Sequence, residues 1–258
     1  MTNIHSTAIV SPKAKLGSNI EIGPYSIIED DVEIGNDCKI GPHACIYNGA
    51  RISDRVKIFQ AASISNLPQD LKFNNEKSFL FIDSDTTIRE YATLHKGTSD
   101  GGSTKVGKNC LIMTYAHVAH DCQVGDSSIL SNGVQVAGHC VIQENVVIGG
   151  LTGVHQFSKV GKYSMIGACN KIAADIPPYV LASGYPIRFE GLNIIGLRRK
   201  GFSNDDILLI KDIYKILYTS GLTFTKAKEK ISEDFKENIY AKEILDFIKK
   251  SERGIIRK

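Results

Sequence analysis

An aliphatic residue recurs at nearly every sixth position between Ile4 and Ile172. Counted in steps of six over this range, 26 of the 29 positions are Ile, Leu or Val. The phase is lost only at Asp70, Glu76 and Asp100, and it resumes unchanged after each break. An α-helix repeats every ~3.6 residues and cannot keep this pattern on one side. The period therefore predicts a short strand and a turn in every six residues, with the aliphatic side chain pointing inward.

Glycine often follows the inward aliphatic directly, which predicts turns that need a positive φ at that position. These glycines are Gly17, Gly23, Gly35, Gly41, Gly107, Gly125, Gly149, Gly161 and Gly167. The whole pattern resembles the hexapeptide-repeat acyltransferases. That resemblance implies an all-β left-handed parallel β-helix, in which three six-residue units form one triangular coil. Residues three units apart then lie directly above one another.

Two polar stretches interrupt the repeat, at 66–81 and at 97–105. Both preserve the six-residue phase, so we expect each to leave the coil as a loop and to return to the same corner. Loops on a rigid scaffold often carry function. Together with the resemblance, which implies the acyltransferase activity, these bounds give an expected β-helix acyltransferase domain over 1–191 with two loop insertions.

The pattern changes to that of helices over the remaining residues, 192–258. The residues at 203–206, Ser-Asn-Asp-Asp, resemble a capping box, and apolar residues at helical spacing follow them as far as Gly221. Two further helices are expected over about 224–236 and 240–251. Because the last open coil of a solenoid needs a cover, we expect this helical domain to cap the stack.

Charge and cysteine usage narrow the class of protein. The chain has 31 basic and 28 acidic residues, and its net charge of +3 does not favour nucleic-acid binding. The six cysteines lack CxxC spacing, so we expect free thiols in a reducing compartment. We expect no secretory signal at residues 1–10 and no membrane span, and hence a cytoplasmic protein.

The densest polar cluster spans 116–122, with the sequence AHVAHDC. His120 comes two residues after an inward valine, so its side chain should point outward from the coil. One coil further along, Gly138 should stack on His120, and His139 on Asp121. An imidazole can take a proton from a hydroxyl group, a neighbouring carboxylate can fix its tautomer, and a backbone N–H can stabilise an oxyanion. These are the parts that acyl transfer from an activated thioester needs, without a covalent intermediate.

Two other interpretations of the cluster stay open. His117, His120 and His139 could supply three zinc ligands, as γ-class carbonic anhydrases of the same repeat family do across a trimer interface. The chain would then be a zinc-dependent hydratase. A non-catalytic β-helix scaffold is the other possibility, but the flat threonine face that would favour it is not visible in the sequence.

Seven motifs make the resemblance more specific. They match the UDP-N-acetylglucosamine O-acyltransferases, the family that begins lipid A synthesis, along nearly the whole chain. The motifs are PQDLK at 68–72, HKGT at 95–98, AHVAHDC at 116–122, AGH at 137–139, VHQF at 154–157, DIPPY at 175–179 and GLRRKGF at 196–202. The resemblance implies transfer of an acyl chain, expected to be (R)-3-hydroxyacyl, from acyl carrier protein to the 3-hydroxyl of UDP-N-acetylglucosamine. It implies no cofactor and no metal.

The resemblance also implies individual roles. His120 is the general base, Asp121 is its partner, and the N–H of Gly138 is the oxyanion donor. In a homotrimer, Asp70 and Lys72 would bind the sugar from a neighbouring subunit. The other substrate-binding residues are His95, His117, His139, His155, Gln156 and Asn193 in the cleft, with Arg199 and Lys200 near the nucleotide phosphates.

Two positions depart from the family pattern. Ala168 stands where long-chain members have glycine at the acyl-chain ruler, which predicts a slightly shorter acyl chain. It comes two residues after an inward isoleucine, so we expect it to face outward along the same wall as His120. Lys200 replaces the commoner arginine, which keeps the charge but not the bidentate geometry. The sequence also leaves open an N-acyltransferase that acts on a UDP-amino-sugar and forms an amide.

Overall fold

The six-residue period folds into three sheets that form the walls of a triangular β-helix. The computed structural model describes residues 2–258. The first face contains the parallel strands Asn3–Ile4, Glu21–Ile22, Lys39–Ile40, Lys57–Ile58, Thr87–Ile88, Leu111–Ile112, Ile129–Leu130, Val147–Ile148 and Met165–Ile166. The second face contains Ile9–Val10, Ile27–Ile28, Cys45–Ile46, Ser63–Asn66, Thr93–His95, His117–Val118, Gln135–Val136, Gly153–Val154 and Lys171–Ile172. The third face contains Lys15–Leu16, Glu33–Ile34, Ala50–Ile52, Phe79–Ile82, Ser103–Val106, Gln123–Val124, Val141–Ile142 and Lys159–Val160.

Strands of one face pair in parallel with their neighbours one coil away. Ile4 pairs with Ile22, and Val118 pairs with Val136, so an uninterrupted coil consists of three six-residue units. The inward aliphatics are buried at every regular position from Ile22 to Ile172, where they form the core. The predicted left-handed parallel β-helix with a C-terminal helical domain is confirmed.

The prediction that glycine supplies the positive φ of the turns is wrong. The left-handed residues come three positions after the inward aliphatic and are mostly not glycine; Asp121 has φ 59° and His139 has φ 60°. The glycines that directly follow the aliphatics are explained by the close approach of the next coil. A Cβ atom on Gly41, for example, would lie 2.8 Å from the backbone nitrogen of Gln60.

Two loops leave the coils, each between a strand of the second face and the next strand of the third face. The first loop comprises residues 67–78 and the second loop residues 96–102. Strand residues extend into both predicted interruptions, 66–81 and 97–105, because the strands next to the loops are three or four residues long.

Both loops return the chain in phase, as predicted. Across the first loop, Ile58 pairs with Ile88, which comes five six-residue units later instead of three. Across the second loop, Leu94 pairs with Val118, which comes four units later. The same corner of three successive coils is therefore occupied by the first loop, the second loop and the residues that follow Val118.

The stack continues into a hairpin and four helices. Val180–Ser183 pairs with Arg188–Leu192 in antiparallel fashion and extends the first face. The helices are Ile194–Arg199, Asn204–Thr219, Phe224–Asp234 and Ile239–Lys249. The second of them begins with the predicted capping box between Ser203 and Asp206. Within residues 2–258, none of the helices combines the length and the apolar character that crossing a membrane requires.

The two ends of the stack differ. At the C-terminal end, the Tyr214 hydroxyl donates to the carbonyl of Pro178 at 2.6 Å, and the Lys159 ammonium donates to the carbonyl of Lys250 at 2.6 Å. These contacts dock the helical domain on the last coils. At the N-terminal end, Ile4 is 42% exposed and Ile9 is 66% exposed.

Candidate active site

A groove of about 950 Å³ runs along the second face beside the first loop. It brings together seven of the residues predicted from the sequence, namely Asp70, Lys72, His117, His120, Gly138, His155 and Gln156. Asp70 and Lys72, which were expected to come from a neighbouring subunit, line the groove of their own chain. The first loop carries them there from two coils away.

His120 and Asp121 form a dyad at the corner after the second-face strand His117–Val118. Nδ1 of His120 lies 2.9 Å from Oδ2 of Asp121. Burial alone would raise the pKa of the Asp121 carboxyl, but hydrogen bonds from His120 and Thr98 outweigh it and lower that pKa. Asp121 is therefore an anionic acceptor, and it favours the tautomer in which Nδ1 of His120 carries a proton.

His120 points outward from the coil, as predicted, but it is not an exposed side chain. It is only 6% exposed, and Asp121 is 8% exposed. The second loop covers Asp121, and the ring of His139 meets the ring of His120 edge to face with centroids 5.1 Å apart. The imidazole of His120 is thus held in a fixed orientation rather than moving freely in solvent.

Gly138 lies against the imidazole of His120, which confirms the predicted stacking. A Cβ atom at this position would lie 2.6 Å from Cε1 and 2.7 Å from Nε2 of His120, so only glycine fits. The backbone N–H of His139 donates to the carbonyl of His120 at 3.0 Å. Among residues 2–258 the N–H of Gly138 has no acceptor, and it is available to a bound oxyanion.

His95 and His117 form a second histidine pair next to the dyad. Their rings meet edge to face with centroids 4.8 Å apart. Nδ1 of His117 lies 2.7 Å from the hydroxyl of Thr93, whereas the buried Nδ1 of His95 has no partner within residues 2–258. Burial, with the neighbouring His117 and His120, lowers the pKa of His95 to about 4, and burial also lowers the pKa of His117. Both imidazoles are neutral at neutral pH.

The structure places the remaining predicted residues outside the groove. His139 lies behind the dyad, with Nε2 3.7 Å from Oδ2 of Asp121, and stacks on Phe157. Asn193 is the N-cap of the helix Ile194–Arg199 and accepts from the N–H of Gly196. Arg199 and Lys200 are exposed at the end of that helix.

The prediction that Ala168 faces the same wall as His120 is wrong. Ala168 follows a first-face strand, Met165–Ile166, whereas His120 follows a second-face strand. From Val118 to Ile166 the chain advances by eight six-residue units, and eight is not a multiple of three. The two side chains therefore lie at different corners of the triangle.

Sequence reasoning assigned no role to three residues at the site. The hydroxyl of Thr98 donates to Asp121, Thr93 contacts His117, and Lys171 lines the far end of the groove. Thr98 lies in the HKGT motif at 95–98, at the start of an interruption that returns to the corner of Asp121. This position in the sequence could have indicated that Thr98 lies near Asp121.

The three histidines of the zinc interpretation do not come together in one chain. Within residues 2–258, the metal-ligating groups that lie within 4.8 Å of one another are His120, Asp121 and His139, without His117. The Asp121 carboxylate already accepts three hydrogen bonds, two from Thr98 and one from His120. This donor set fits a hydrogen-bonded His–Asp pair better than a zinc centre.

Comparisons with known proteins cover the whole chain. The family model described as "Udp N-acetylglucosamine O-acyltransferase; Domain 2" matches residues 175–256, and the bacterial transferase hexapeptide model matches 13–48 and 103–138. The acyl-(acyl-carrier-protein)–UDP-N-acetylglucosamine O-acyltransferase of Thiobacillus denitrificans is 48% identical over 258 residues, 100% of each chain. The protein of the same name from Aliarcobacter butzleri is 49% identical over 99% of this chain and 98% of its own. The structure of UDP-N-acetylglucosamine acyltransferase from Francisella novicida matches with a TM-score of 0.96 and 38% identity, over 99% of this chain and 94% of that one.

Proposed function

The chain belongs to the UDP-N-acetylglucosamine O-acyltransferase family, and from that premise we propose how its groove performs the reaction. It transfers an acyl chain from acyl carrier protein to the 3-hydroxyl of UDP-N-acetylglucosamine, the first step of lipid A biosynthesis. The observation that best supports the mechanism is the anionic Asp121 bonded to His120, beside the N–H of Gly138, which has no acceptor among residues 2–258. The amino-sugar and zinc-hydratase alternatives are not favoured.

The first step forms the new bond. Nε2 of His120 takes the proton of the 3-hydroxyl as that oxygen attacks the thioester carbonyl carbon, and the carbonyl electrons move onto oxygen. The N–H of Gly138 donates to this oxyanion. Asp121 stabilises the imidazolium through Nδ1–H without taking the proton itself.

The second step releases the carrier. The oxyanion electrons re-form the carbonyl, the C–S bond breaks, and the departing sulfur takes the proton from Nε2 of His120. The products are the 3-O-acyl sugar nucleotide and the free thiol of the carrier, and His120 returns to its neutral form. No cofactor enters the balance.

The first loop and the second face supply the sugar-nucleotide contacts in this proposal. Lys72 offers an ammonium and Asp70 a carboxylate, and both line the groove with His117. Because burial lowers the pKa of His117, this imidazole stays neutral and can position the sugar by hydrogen bonding. His155 and Gln156 extend the polar lining along the stack.

A homotrimer with three equivalent sites is part of the proposal. Ala168, Asn193, Arg199 and Lys200 lie away from the groove of their own chain, so a role near the substrates requires a neighbouring subunit. The corner that Ala168 shares also exposes Tyr115 at 61% and Leu151 at 71%, which supports contact with another chain. In that trimer Ala168 can act as the acyl-chain ruler. An active monomer in light scattering would contradict this assembly.

A cytoplasmic location completes the proposal. All six cysteines are free in the structure, as expected from their spacing. Free thiols persist in reducing compartments, whereas secreted proteins tend to pair them. This observation supports the location, and labelling of the native chain in fractionated cells tests it.

The deciding experiment replaces the base. His120→Ala should lower product formation by about 10²–10⁴-fold, since a general base contributes that much. Mass spectrometry of the products from a panel of acyl carrier thioesters and UDP-sugars gives both the rate and the acyl length. His5→Ala, an exposed histidine at the far end of the stack, is the control. Near-normal turnover by a folded His120→Ala variant would contradict the mechanism.

A further inference from the structure

We propose that Thr98 is the positioning residue of the dyad: the second loop fixes the Asp121 carboxylate, and through it the imidazole of His120. This inference rests on the function proposed above. It adds a part of the machinery that lies outside the groove. Thr98 neither lines the groove nor reaches the reacting atoms, so it acts only through Asp121.

Thr98 binds both oxygens of one carboxylate. Its backbone N–H donates to Oδ1 of Asp121 at 2.9 Å, and its hydroxyl donates to Oδ2 at 2.7 Å. Oδ2 is also the atom that accepts from Nδ1 of His120. Thr98 is 5% exposed, so water does not compete for these bonds. Two donors on two oxygens set the plane of the carboxylate, which a single donor cannot do.

Glycines let the second loop approach this closely. A Cβ atom at Gly97 would lie 2.8 Å from Oδ1 of Asp121, and one at Gly101 would lie 2.5 Å from it. The loop is held in turn by the strand beneath, since the N–H of Gly97 donates to the carbonyl of Phe79 at 3.1 Å. The loop is therefore shaped around the carboxylate.

Glu76 connects this arrangement to the first loop. Its Oε1 accepts from the N–H of Ser99 at 3.0 Å, and its Oε2 accepts from the N–H of Asn74 at 2.7 Å. One carboxylate thus links the residue after Thr98 to the loop that carries Lys72. The sugar-binding loop and the dyad are joined through two hydrogen-bonded neighbours.

The test is a set of matched variants assayed with acyl carrier thioester and UDP-N-acetylglucosamine. Thr98→Val removes the hydroxyl and keeps the shape and the N–H. We expect kcat to fall about 10-fold or more, as for loss of a hydrogen bond to a charged group, with KM for both substrates within two-fold. Without the second donor, Oδ2 keeps more negative charge, so the acidic limb of the kcat/KM profile should move to higher pH. Thr98→Ser should restore both values.

Thr86→Val is the control, because Thr86 is equally buried and its hydroxyl donates to the carbonyl of Gly107 at 2.7 Å, away from the dyad. It should lower Tm and leave kcat and the pH profile unchanged. If Thr98→Val does not fold, Thr98→Ala carries the same expectation. Wild-type kcat and an unmoved acidic limb in Thr98→Val, or equal damage from Thr98→Ser, would overturn the proposal. His120→Ala in the same assay distinguishes the proposed mechanism from the proposed role of Thr98. An active His120→Ala variant would overturn the mechanism. An inactive His120→Ala variant together with a normal Thr98→Val variant would overturn only the positioning by Thr98.

Discussion

The two loops leave the same corner in successive coils but differ in construction. The first loop, 67–78, is largely exposed to solvent, including the side chains of Leu71, Lys72 and Lys77. The second loop, 96–102, begins as packed structure, with Gly97 and Thr98 buried on Asp121. The loop one coil from the dyad is short and rigidly bonded, whereas the loop two coils away is longer and carries Asp70 and Lys72 into the groove.

We interpret this difference as a division between the chemical step, near the second loop, and substrate capture, by the first loop. A chemical step depends on fixed geometry, and fixed geometry needs buried, fully bonded partners. Substrate capture depends on charges that a ligand can reach, and such charges stay solvated. Changes in and around the second loop should therefore alter stability and kcat, and changes in the first loop should alter KM.

The largest expected effect is on stability and concerns His95, the last strand residue before the second loop. Its pKa is lowered to about 4, so the unfolded chain binds a proton at higher pH than the folded chain does. The free energy of unfolding therefore has its full value above about pH 6.5. It falls by about 3 kcal/mol as the pH is lowered towards 4. Urea unfolding between pH 7 and pH 4 measures it. His95→Gln should flatten the slope and exposed His43→Gln should not; equal slopes in both variants would contradict it.

The next effect is on turnover and compares two adjacent glycines of the second loop. Gly101→Ala places a Cβ atom 2.5 Å from Oδ1 of Asp121, so the dyad must shift, and we expect kcat to fall about 100-fold. Gly102 has φ +68° and open space around it, so Gly102→Ala should cost about 1 kcal/mol of stability and leave kcat unchanged. Steady-state kinetics and thermal unfolding of both variants decide this. Equal kcat values would remove the loop from the chemistry.

A smaller effect is expected in the first loop. Lys72→Ala removes a charged group from the groove and should raise KM for UDP-N-acetylglucosamine about 10-fold, with kcat within two-fold. Lys77→Ala is the matched control, because its ammonium lies over the Phe79 ring rather than in the groove. A loss of kcat at unchanged KM would show that the first loop also takes part in the chemical step.

Much of the fold was contained in the six-residue period, because each inward aliphatic must stack on the coil below. The relative positions of site residues could be predicted where those residues keep the six-residue period, as His120 and Gly138 do. The hand of the helix came only from family resemblance, since general rules favour right-handed crossovers. The contact of Thr98 with Asp121 was not predicted, because it reaches across a loop whose path no period fixes. Ala168 was misplaced because its distance from Val118 is not a whole number of coils.

The smallest effect concerns exposed charge elsewhere. If exposure marks association rather than chemistry, then Arg199 and Lys200 should matter for capture of the substrates, acyl carrier protein included, and not for the chemical step. Arg199→Gln with Lys200→Gln should lower kcat/KM a few-fold at low salt and flatten its salt dependence, because exposed charges are screened over about 8–10 Å. Rates measured from low to high ionic strength test this. A parent rate that does not depend on salt would assign these residues no part in carrier binding.

The unequal ends of the stack set an order of disassembly. An internal coil is bonded to a coil above and a coil below, whereas the first coil has one neighbour, and its Ile4 and Ile9 are already exposed. The last coils are clamped by the helical domain. Opening therefore starts at the N-terminus and proceeds coil by coil. Since the dyad follows the sixth strand of the second face, five coils stand between the fraying end and the reacting corner. We expect amide exchange to slow along those coils, so that local opening of the first coil leaves the geometry of His120 and Asp121 unchanged.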